Sequence, residues 1–403
     1  MAEGEERKDA LRLIVDFPYL IEGFNPSIPL RRNADRPARS VWDSADPRPV
    51  VVAFAVSPEV DEDLNRIAVR ISLDGLERAN VRALTESGDA LGVLQASEVA
   101  TVAVLPMTGA RITAGGTDIR ETTLRWQVEV DGVWRDLGAQ AVRVYTIPRP
   151  PAEPWLGVGN VPPVSTPYHL WTEMLDLLCV WARGAIYPLD AAGRITRAIH
   201  DRGREETPGR LVYDDNGRKY GNVAGLDPAT NELALDAFYL PAFLERLNGG
   251  EGRGGAVNCF DCAGAVAVLG AALGCPLRKV SFSLPDKGPF TLNPMTILGG
   301  RAPSDLEFGD FFNEHVVAWA GMLDASGMVF DASTAFRETE GNDLPSVGRR
   351  WGEPGEAGSY RTLLTPDEAN LHLNREYRPL LLVPPRIAFD LPDEPAPEVD
   401  SPA

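Results

Sequence analysis

The spacing of hydrophobic residues changes its period along the chain, and this change predicts two kinds of domain. In the segments "RIAVRISL" (66–73) and "TLRWQVEV" (123–130), every second residue is apolar, which is typical of strands with one buried face. Asp131-Gly132 follows the second segment, and this pair tolerates the positive backbone angles of a tight hairpin turn. Several such segments between about Val50 and Ile147 predict a β-sandwich of immunoglobulin-like type.

Helical spacing replaces strand spacing after the proline-rich stretch "IPRPPAEPW" (147–155). From Trp171 to Trp181, apolar residues recur every three or four positions, which predicts a helix. The other elements predicted in this half of the chain are helices over 190–203, over 231–250 with a kink at Pro241, and from Cys259 to about Gly274, followed by a strand over 277–284.

The predicted domain boundaries follow these changes of period. Residues 1–148 form the β-sandwich domain, 149–164 a proline-rich extended linker, and 165–378 a second domain of helices and strands. Residues 379–403 are rich in Pro, Asp and Glu, and they predict a solvated tail. The connection from Pro285 to Phe312 is long and has no evident pattern, so it is either a binding loop or a plain insertion.

Composition and charge restrict the expected partners. The hydrophobic share of 44% and the charged share of 24% are typical of a globular protein. The formal net charge of −19 opposes attraction to phosphate backbones and anionic membranes, so we expect no nucleic-acid partner and no membrane partner. We see no secretory leader and no apolar run of roughly 18 residues, and four cysteines are few for a disulfide scaffold. We therefore expect a cytoplasmic protein with free thiols, and the sequence does not indicate its oligomeric state.

Two cysteines, Cys259 and Cys262, lie at the predicted start of a helix of small apolar residues. Most cysteines on such helices serve in packing, and Cys179 and Cys275 fit that interpretation. A helix N-terminus favours a thiolate by only about 0.3–1 kcal/mol, less than one pKa unit, so activation of Cys259 also requires a cationic histidine. A redox pair would follow directly on a strand, but a glycine-rich stretch precedes these cysteines. A zinc site would need two more ligands, and the sequence has no second Cys-x-x-Cys or His pair. We therefore predict no metal and no cofactor.

Among the four histidines, His315 has the sequence context that best fits a catalytic role. In "HVVAWAGMLDASGMVFD" (315–331), His315 opens a strand, 324–327 predicts a turn, and Asp331 ends a second strand. A three-residue loop with Gly327 in the left-handed conformation would put His315 and Asp331 on one face of the hairpin. That register sets Asp331 opposite Gly321, however, so contact with His315 would require a bulge or strong coiling.

In combination, these residues resemble the transglutaminase-like superfamily, which shares the papain-like fold. The similarity lies in Cys-Phe-Asp-Cys-Ala (259–263) at a helix start, Gly-Cys-Pro-Leu-Arg (274–278) at the helix exit, His315, and Asp-Ala-Ser (331–333). The resemblance implies an α+β fold, with helices packed on an antiparallel sheet in the catalytic domain and the all-β sandwich domain before it. The motifs cover about residues 255–335.

By this resemblance, Cys259 is the nucleophile, His315 the general base, and Asp331 the residue that orients the imidazole. The Asp-x-Ala context after Cys259 favours it over Cys262, whereas papain uses the second cysteine of a Cys-Gly-Ser-Cys-Trp run. The backbone N–H of Cys259 would be one oxyanion donor. Arg253 and glycines stand where papain has a glutamine, so the second donor is open. The implied function is a thiol-dependent amide hydrolase, a cysteine peptidase acting on a protein or peptide substrate.

Two alternatives stay open at this point. The same triad could transfer the acyl group to an amine, as a transglutaminase does, or deamidate side chains. Trp171, Trp181 or Trp319 could then line an acceptor tunnel, although core packing is the ordinary role of such residues. The domain could also be a catalytically silent binding or scaffold module, because one fold hosts many functions.

Overall fold

The chain folds into two compact units, Met1–Ile195 with Leu269–Pro276, and Thr196–Val268 with Leu277–Ala403. Both are rich in strands and contain few helices. The computed structural model describes residues 11–20, 25–32, 36–46, 48–56, 66–106, 116–153, 155, 169–204, 207–214, 220–221, 237–284, 288–300, 302–306, 309–337, 343–353, 355–366 and 386–388.

Strands make up most of the first unit. Its elements are β1 (Arg12–Leu20), β2 (Asn25–Pro26), β3 (Leu30–Arg32), β4 (Arg36–Pro37), β5 (Val41–Asp43), β6 (Val50–Ala55), β7 (Arg66–Asp74), β8 (Arg78–Leu84), β9 (Ala90–Ser97), β10 (Thr101–Pro106), β11 (Asp118–Val130), β12 (Val133–Ile147), β13 (Leu170–Trp171), α1 (Thr172–Trp181) and the first part of α2 (Pro188–Asp201).

Two five-stranded sheets organise this unit. One has the order β10-β7-β1-β2, with β5 also paired to β1, and the other has the order β6-β12-β11-β8-β9. β12 and β6 run parallel. Apolar side chains from both sheets belong to one core, in which Trp42, Phe54 and Trp126 are each 0% exposed. The unit therefore has a layered all-β core, while its immunoglobulin-like type and the boundary near residue 148 stay predictions.

The strands predicted from the two alternating segments are confirmed, and so is the turn between β11 and β12. Asp131 has φ 55° and Gly132 has φ 75°, and Val130 pairs with Val133 across this two-residue turn. Positive φ at both central residues defines the hairpin turn that Asp-Gly favours. The local sequence was sufficient here because the turn depends on only two residues.

The second unit contains the remaining elements. They are the end of α2, β14 (Val212–Tyr213), β15 (Ala237–Tyr239), α3 (Leu240–Leu247), β16 (Ala256–Val257), α4 (Cys259–Ala272, whose last residues are grouped with the first unit), β17 (Arg278–Phe282), β18 (Phe290–Thr291), β19 (Met295–Ile297), a 3-10 turn (Pro303–Asp305), β20 (Phe311–Phe312), β21 (His315–Ala320), β22 (Met328–Arg337), β23 (Asp343–Arg350), α5 (Tyr360–Leu364) and β24 (Arg386–Ala388).

An antiparallel sheet with the order β17-β21-β22-β19, to which β23 adds through β22, forms the centre of the second unit. All six residues of β21 are buried. All residues of α4 are buried as well, as expected for a helix that is apolar on every side. The residues predicted to carry chemistry thus lie on buried elements.

The predicted helices are confirmed at α1, α2 and α4, but the third one was partly wrong. Residues 237–239 form the strand β15, and α3 begins only at Leu240, with Pro241 in its first turn. Pro241 therefore starts the helix and does not kink it, because the first turn needs no intrahelical N–H bond. The predicted helical residues 231–236 lie outside the described residues.

The hairpin between His315 and Asp331 differs from its predicted register. β21 ends at Ala320, which pairs with Met328, so the loop spans 321–327 and Gly321, with φ 88°, takes the left-handed conformation. The Trp319 indole donates to the carbonyl of Met322 at 2.9 Å, and this bond holds Met322 in the loop, outside the strand pairing. The predicted three-residue loop was therefore wrong.

The correct register changes the position of Asp331 along the hairpin. Ala318 pairs with Phe330, so Asp331 follows at the level of Val317 and not of Gly321. Val317 is two positions from His315, on the same face of the strand. Because β21 ends earlier than the predicted register requires, Asp331 lies closer to His315 than that register allowed.

Three predictions fall largely or partly on undescribed residues. In the predicted tail 379–403, residues 386–388 form β24, which pairs with β15, and the rest lies outside the described residues. The linker prediction, 149–164, is described only at 149–153 and 155. The long connection 285–312 contains the short strands β18, β19 and β20, and β19 joins the central sheet.

Candidate active site

Asn258 and Asp261 build the start of α4, where Cys259 is the first helical residue. Oδ1 of Asn258 accepts hydrogen bonds from the N–H groups of Phe260 at 3.0 Å and Asp261 at 3.2 Å. In return, Oδ2 of Asp261 accepts a hydrogen bond from the N–H of Asn258 at 3.2 Å. This reciprocal cap fixes the thiol at the end of the helix where the dipole favours negative charge.

Asp261 also fastens a second segment to the helix start. Its Oδ1 accepts hydrogen bonds from the N–H groups of Tyr220 at 2.8 Å and Gly221 at 2.6 Å. One carboxylate, 0% exposed, thus pairs with backbone donors of three residues. The acidic position of the Cys-x-Asp motif therefore has a structural role next to Cys259.

Replacing Asp261 by Ala is expected to lower the free energy of unfolding by about 3 kcal/mol or more, because three backbone N–H groups lose their acceptor. Urea denaturation measures this change. Asp305→Ala is a matched control, since Asp305 accepts one exposed backbone hydrogen bond, from Ala302 at 3.1 Å, and should change stability by less than about 1 kcal/mol. Equal effects of the two substitutions would contradict this role of Asp261.

His315 and Asp331 are in direct contact. Nε2 of His315 lies 2.9 Å from Oδ2 of Asp331, and the two side chains are 0% and 1% exposed. Nε2 donates to the carboxylate, so Nδ1 is the ring nitrogen left for another partner. Within the described part of the chain, Nδ1 has no hydrogen-bond partner.

Several donors hold the Asp331 carboxylate. Oδ1 accepts hydrogen bonds from the N–H and the hydroxyl of Ser333, at 2.8 and 2.6 Å, and Oδ2 accepts from the hydroxyl of Thr334 and from Tyr360 at 2.8 Å. Burial acts to raise the pKa of Asp331, but the charge of His315 and these hydrogen bonds outweigh it and lower the pKa below its usual 3.8. The carboxylate therefore stays ionised at neutral pH.

The His315 ring is enclosed and electrostatically coupled to its neighbours. Phe312 stacks on it with ring centroids 4.8 Å apart and an interplanar angle of 10°. Burial acts to lower the pKa of His315, but the charge and hydrogen bond of Asp331, together with the thiol of Cys259, outweigh it and raise the pKa to about 10. The imidazolium is thus the favoured form at neutral pH.

The four cysteines differ in their surroundings, and this bears on the choice between Cys259 and Cys262. Cys259 is the cysteine that contributes to the raised pKa of His315. Burial, followed by the negative charge of Asp261, raises the pKa of Cys262 well above its usual value. Burial also raises the pKa of Cys275 to about 12, and that of Cys179 still further. Their surroundings therefore keep Cys262, Cys275 and Cys179 protonated.

Sequence reasoning missed Tyr360, which completes the contacts around His315 and Asp331. Its hydroxyl lies 3.1 Å from Nε2 of His315 and donates to Oδ2 of Asp331. Burial raises the pKa of Tyr360 well above its usual value, so it stays a donor. Tyr360 follows the Ser359 cap of the short helix α5, and no residue spacing in the sequence links it to Asp331.

Replacing Tyr360 by Phe removes one O–H donor from Asp331 and is expected to raise the pKa of that carboxyl group. A carboxyl group with a depressed pKa stabilises the folded state above its unfolded pKa and loses this contribution as the pH falls through its folded pKa. The variant should therefore unfold in acid at a pH higher by about half a unit. A fluorescence-monitored acid titration measures this midpoint. Tyr187→Phe, at a residue that is 55% exposed, should leave it unchanged, and an unchanged midpoint in Tyr360→Phe would contradict the role of the hydroxyl.

The three tryptophans considered for an acceptor tunnel occupy different places. Trp319 is 1% exposed and packs against Phe282 and Trp351, with ring centroids 6.3 and 5.9 Å apart. Trp171 is 3% exposed, and Trp181 is half-buried; both belong to the first unit. Core packing accounts for the position of Trp319, and the tunnel stays a prediction.

Metal and membrane features can be assessed only for the described residues. Among them, no group of three or more His, Cys, Asp or Glu side chains could hold a metal ion. No helix in the same part of the chain has the length and apolar character needed to cross a membrane. The predicted absence of a metal and of a cofactor stays a prediction.

Comparisons with known proteins give little similarity. No protein-family model and no curated protein matches the chain. Among solved structures, the transglutaminase of red sea bream aligns with a TM-score of 0.37 and 11% identity, over 83% of this chain. The chain spans 56% of the length of that transglutaminase. At this level, the similarity establishes neither a family nor an activity.

Proposed function

We propose that the chain is a thiol-dependent amide hydrolase, a cysteine peptidase, in which Cys259 is the nucleophile, His315 the general base and acid, and Asp331 the group that orients the imidazole. The observation that supports this most is the environment of the His315 imidazole. Its Nε2 is bound to Asp331 at 2.9 Å, and the thiol of Cys259 contributes to its raised pKa. A cationic imidazole beside a thiol at a helix N-terminus is an arrangement that stabilises a thiolate.

The proposed reaction begins with attack of the Cys259 sulfur on an amide carbonyl carbon. A C–S bond forms, and the carbonyl electrons move to the oxygen, which becomes an oxyanion. His315 then gives its Nδ1 proton to the leaving nitrogen, the C–N bond breaks, and the amine departs from the thioester. Water attacks the thioester while His315 takes one water proton. The C–S bond breaks, which releases the acid and restores the thiolate–imidazolium pair.

The charges around His315 suit both proton transfers. Asp331 stays ionised and keeps the proton on the imidazole, not on the carboxylate. Part of the raised pKa of His315 comes from the thiol of Cys259. Acylation of the sulfur removes that contribution, so the imidazolium releases its proton more easily when the leaving amine needs it.

The proposed substrate is a protein or peptide, and the proposed architecture keeps the predicted order of a β-sandwich domain before the catalytic domain. The net charge of −19 favours substrates that are not polyanions. In this proposal the β-sandwich contributes substrate or partner binding, as rigid sheets commonly carry binding loops.

Trapping the acyl-enzyme tests this proposal. The chain is incubated with a peptide library and with activated acyl donors, and intact-protein mass spectrometry with peptide mapping locates any adduct. The expected result is a thioester on Cys259 that decays in water to free acid. Incorporation of an added primary amine into glutamine side chains would instead indicate a transglutaminase, and ammonia release without cleavage would indicate a deamidase. The absence of any adduct on Cys259 would favour a silent binding module and contradict the proposal.

A further inference from the structure

The start of α4 leaves two hydrogen-bond donors without a partner. The N–H groups of Asn258, Phe260 and Asp261 are bound within the cap, and the N–H of Cys262 bonds to the carbonyl of Asn258 at 3.0 Å. In the described part of the chain, neither the N–H of Cys259 nor the Nδ2 amide of Asn258 has an acceptor. These two donors belong to adjacent residues, one of which carries the proposed nucleophile.

The two residues that carry these donors expose only a small part of their surface. Asn258 is 3% exposed and Cys259 is 4% exposed. Among the described residues, Nδ2 of Asn258 is not one of the unpaired side-chain atoms that are fully buried, so this donor is open to a ligand. Asp or Ser at position 258 would cap the helix about as well through an oxygen. The Nδ2 group is therefore the part of Asn258 that the cap does not require.

We propose that the N–H of Cys259 and the Nδ2 amide of Asn258 together form the oxyanion hole. This inference rests on the proposed function, and it names the donor that the sequence left open. Two donors are needed where the negative charge develops on the carbonyl oxygen. The Oδ1 atom of Asn258 is anchored by two backbone N–H groups, at 3.0 and 3.2 Å, so the amide plane is fixed before substrate binds.

The two donors act at one step of the reaction. As the sulfur of Cys259 bonds to the carbonyl carbon, the π electrons move to the oxygen, which then accepts from both donors. When the intermediate collapses, these electrons return to the carbonyl, the bond to the leaving group breaks, and a leaving nitrogen takes its proton from His315. Asn258 is thus a catalytic residue that contacts the reacting oxygen and transfers no proton.

Two reagents separate this role from simple thiol reactivity. Iodoacetamide alkylates the sulfur by displacing iodide from a saturated carbon, so no oxyanion forms. p-Nitrophenyl acetate acylates the sulfur through an oxyanion and releases p-nitrophenolate. In Asn258→Ser and Asn258→Asp, an oxygen still caps the helix but the amide donor is gone. The ratio of the acylation rate to the alkylation rate is expected to fall by about 10²-fold or more in both variants.

Two controls show whether a change in the ratio comes from the lost amide donor. The Asn258→Ser variant should be alkylated at a rate close to that of wild type, because the capped helix and the imidazole are retained. Asn248→Ser makes the same change at the exposed end of α3 and should leave the ratio unchanged. Two variants with different capping oxygens are used so that the test still works if one of them fails to fold. Circular dichroism identifies which variants are folded.

The outcomes distinguish this inference from the proposed function. An unchanged ratio in a folded Asn258 variant, with normal acylation in wild type, would overturn the oxyanion hole alone. If wild-type Cys259 is alkylated rapidly but never acylated by the ester, the proposed acyl transfer fails, and the oxyanion hole fails with it.

Discussion

Replacing Cys259 by Ala is expected to lower kcat/KM for amide and ester substrates on the order of 10⁴- to 10⁶-fold. The sulfur forms the bond to the carbonyl carbon, so its removal leaves only substrate binding and the oxyanion donors. The fold should persist, because oxygen atoms of Asn258 and Asp261, not the thiol, cap the helix. Steady-state kinetics measures the loss, and thermal unfolding checks the fold.

Cys262→Ala is the matched control for this substitution. It removes a thiol one helical turn further along, where burial keeps the sulfur protonated by raising its pKa. Its activity should stay close to that of wild type. Loss of activity in this variant, with Cys259→Ala still active, would assign the nucleophile to Cys262 and refute the proposed site.

Asp331→Asn is expected to lower kcat by about 10⁴-fold, because an amide neither orients the imidazole in the same tautomer nor stabilises its cation. An Asn side chain can present N–H to Nε2, which would move the ring proton to Nδ1, on the side needed for proton abstraction. Without the carboxylate charge, burial dominates and the pKa of His315 should fall below its usual 6.5, from about 10 in wild type.

The pKa of His315 can be followed by NMR, since the chain has only four histidines. A histidine with a raised folded pKa stabilises the folded state below its unfolded pKa and loses this contribution as the pH rises through the folded value. Wild type should therefore lose stability between about pH 6.5 and 10, and Asp331→Asn should lose this dependence. A titration of His315 that is the same in both proteins would contradict the coupling.

The parts of the site that depend on residues close together in the sequence could be predicted from it. The helix start at Cys259 follows from Asn258 and the acidic residue at 261, both of which act within one turn. The predicted three-residue loop likewise put His315 and Asp331 on one face of a hairpin, and the observed loop 321–327 keeps that face because the two loop lengths differ by an even number of residues. These predictions depend on backbone periodicity and on local hydrogen bonds, which a short sequence window contains.

The parts that depend on tertiary contacts could not be predicted. The hairpin register is set where Trp319 bonds to Met322 and Gly321 adopts positive φ, and a shorter loop would have satisfied the same sequence pattern. Tyr360 reaches Asp331 from a separate helix, and nothing local marks it. The oxyanion donor in Asn258 becomes visible only when every hydrogen bond at the helix start has been assigned.

Timed labelling of all four cysteines with iodoacetamide near neutral pH, followed by peptide mass mapping, tests most directly whether His315 and Asp331 activate Cys259. We predict that Cys259 is alkylated about 10²-fold faster or more than Cys179, Cys262 and Cys275, and that His315→Ala abolishes this difference. Uniformly slow labelling of the four thiols, or faster labelling of Cys262, would contradict the account.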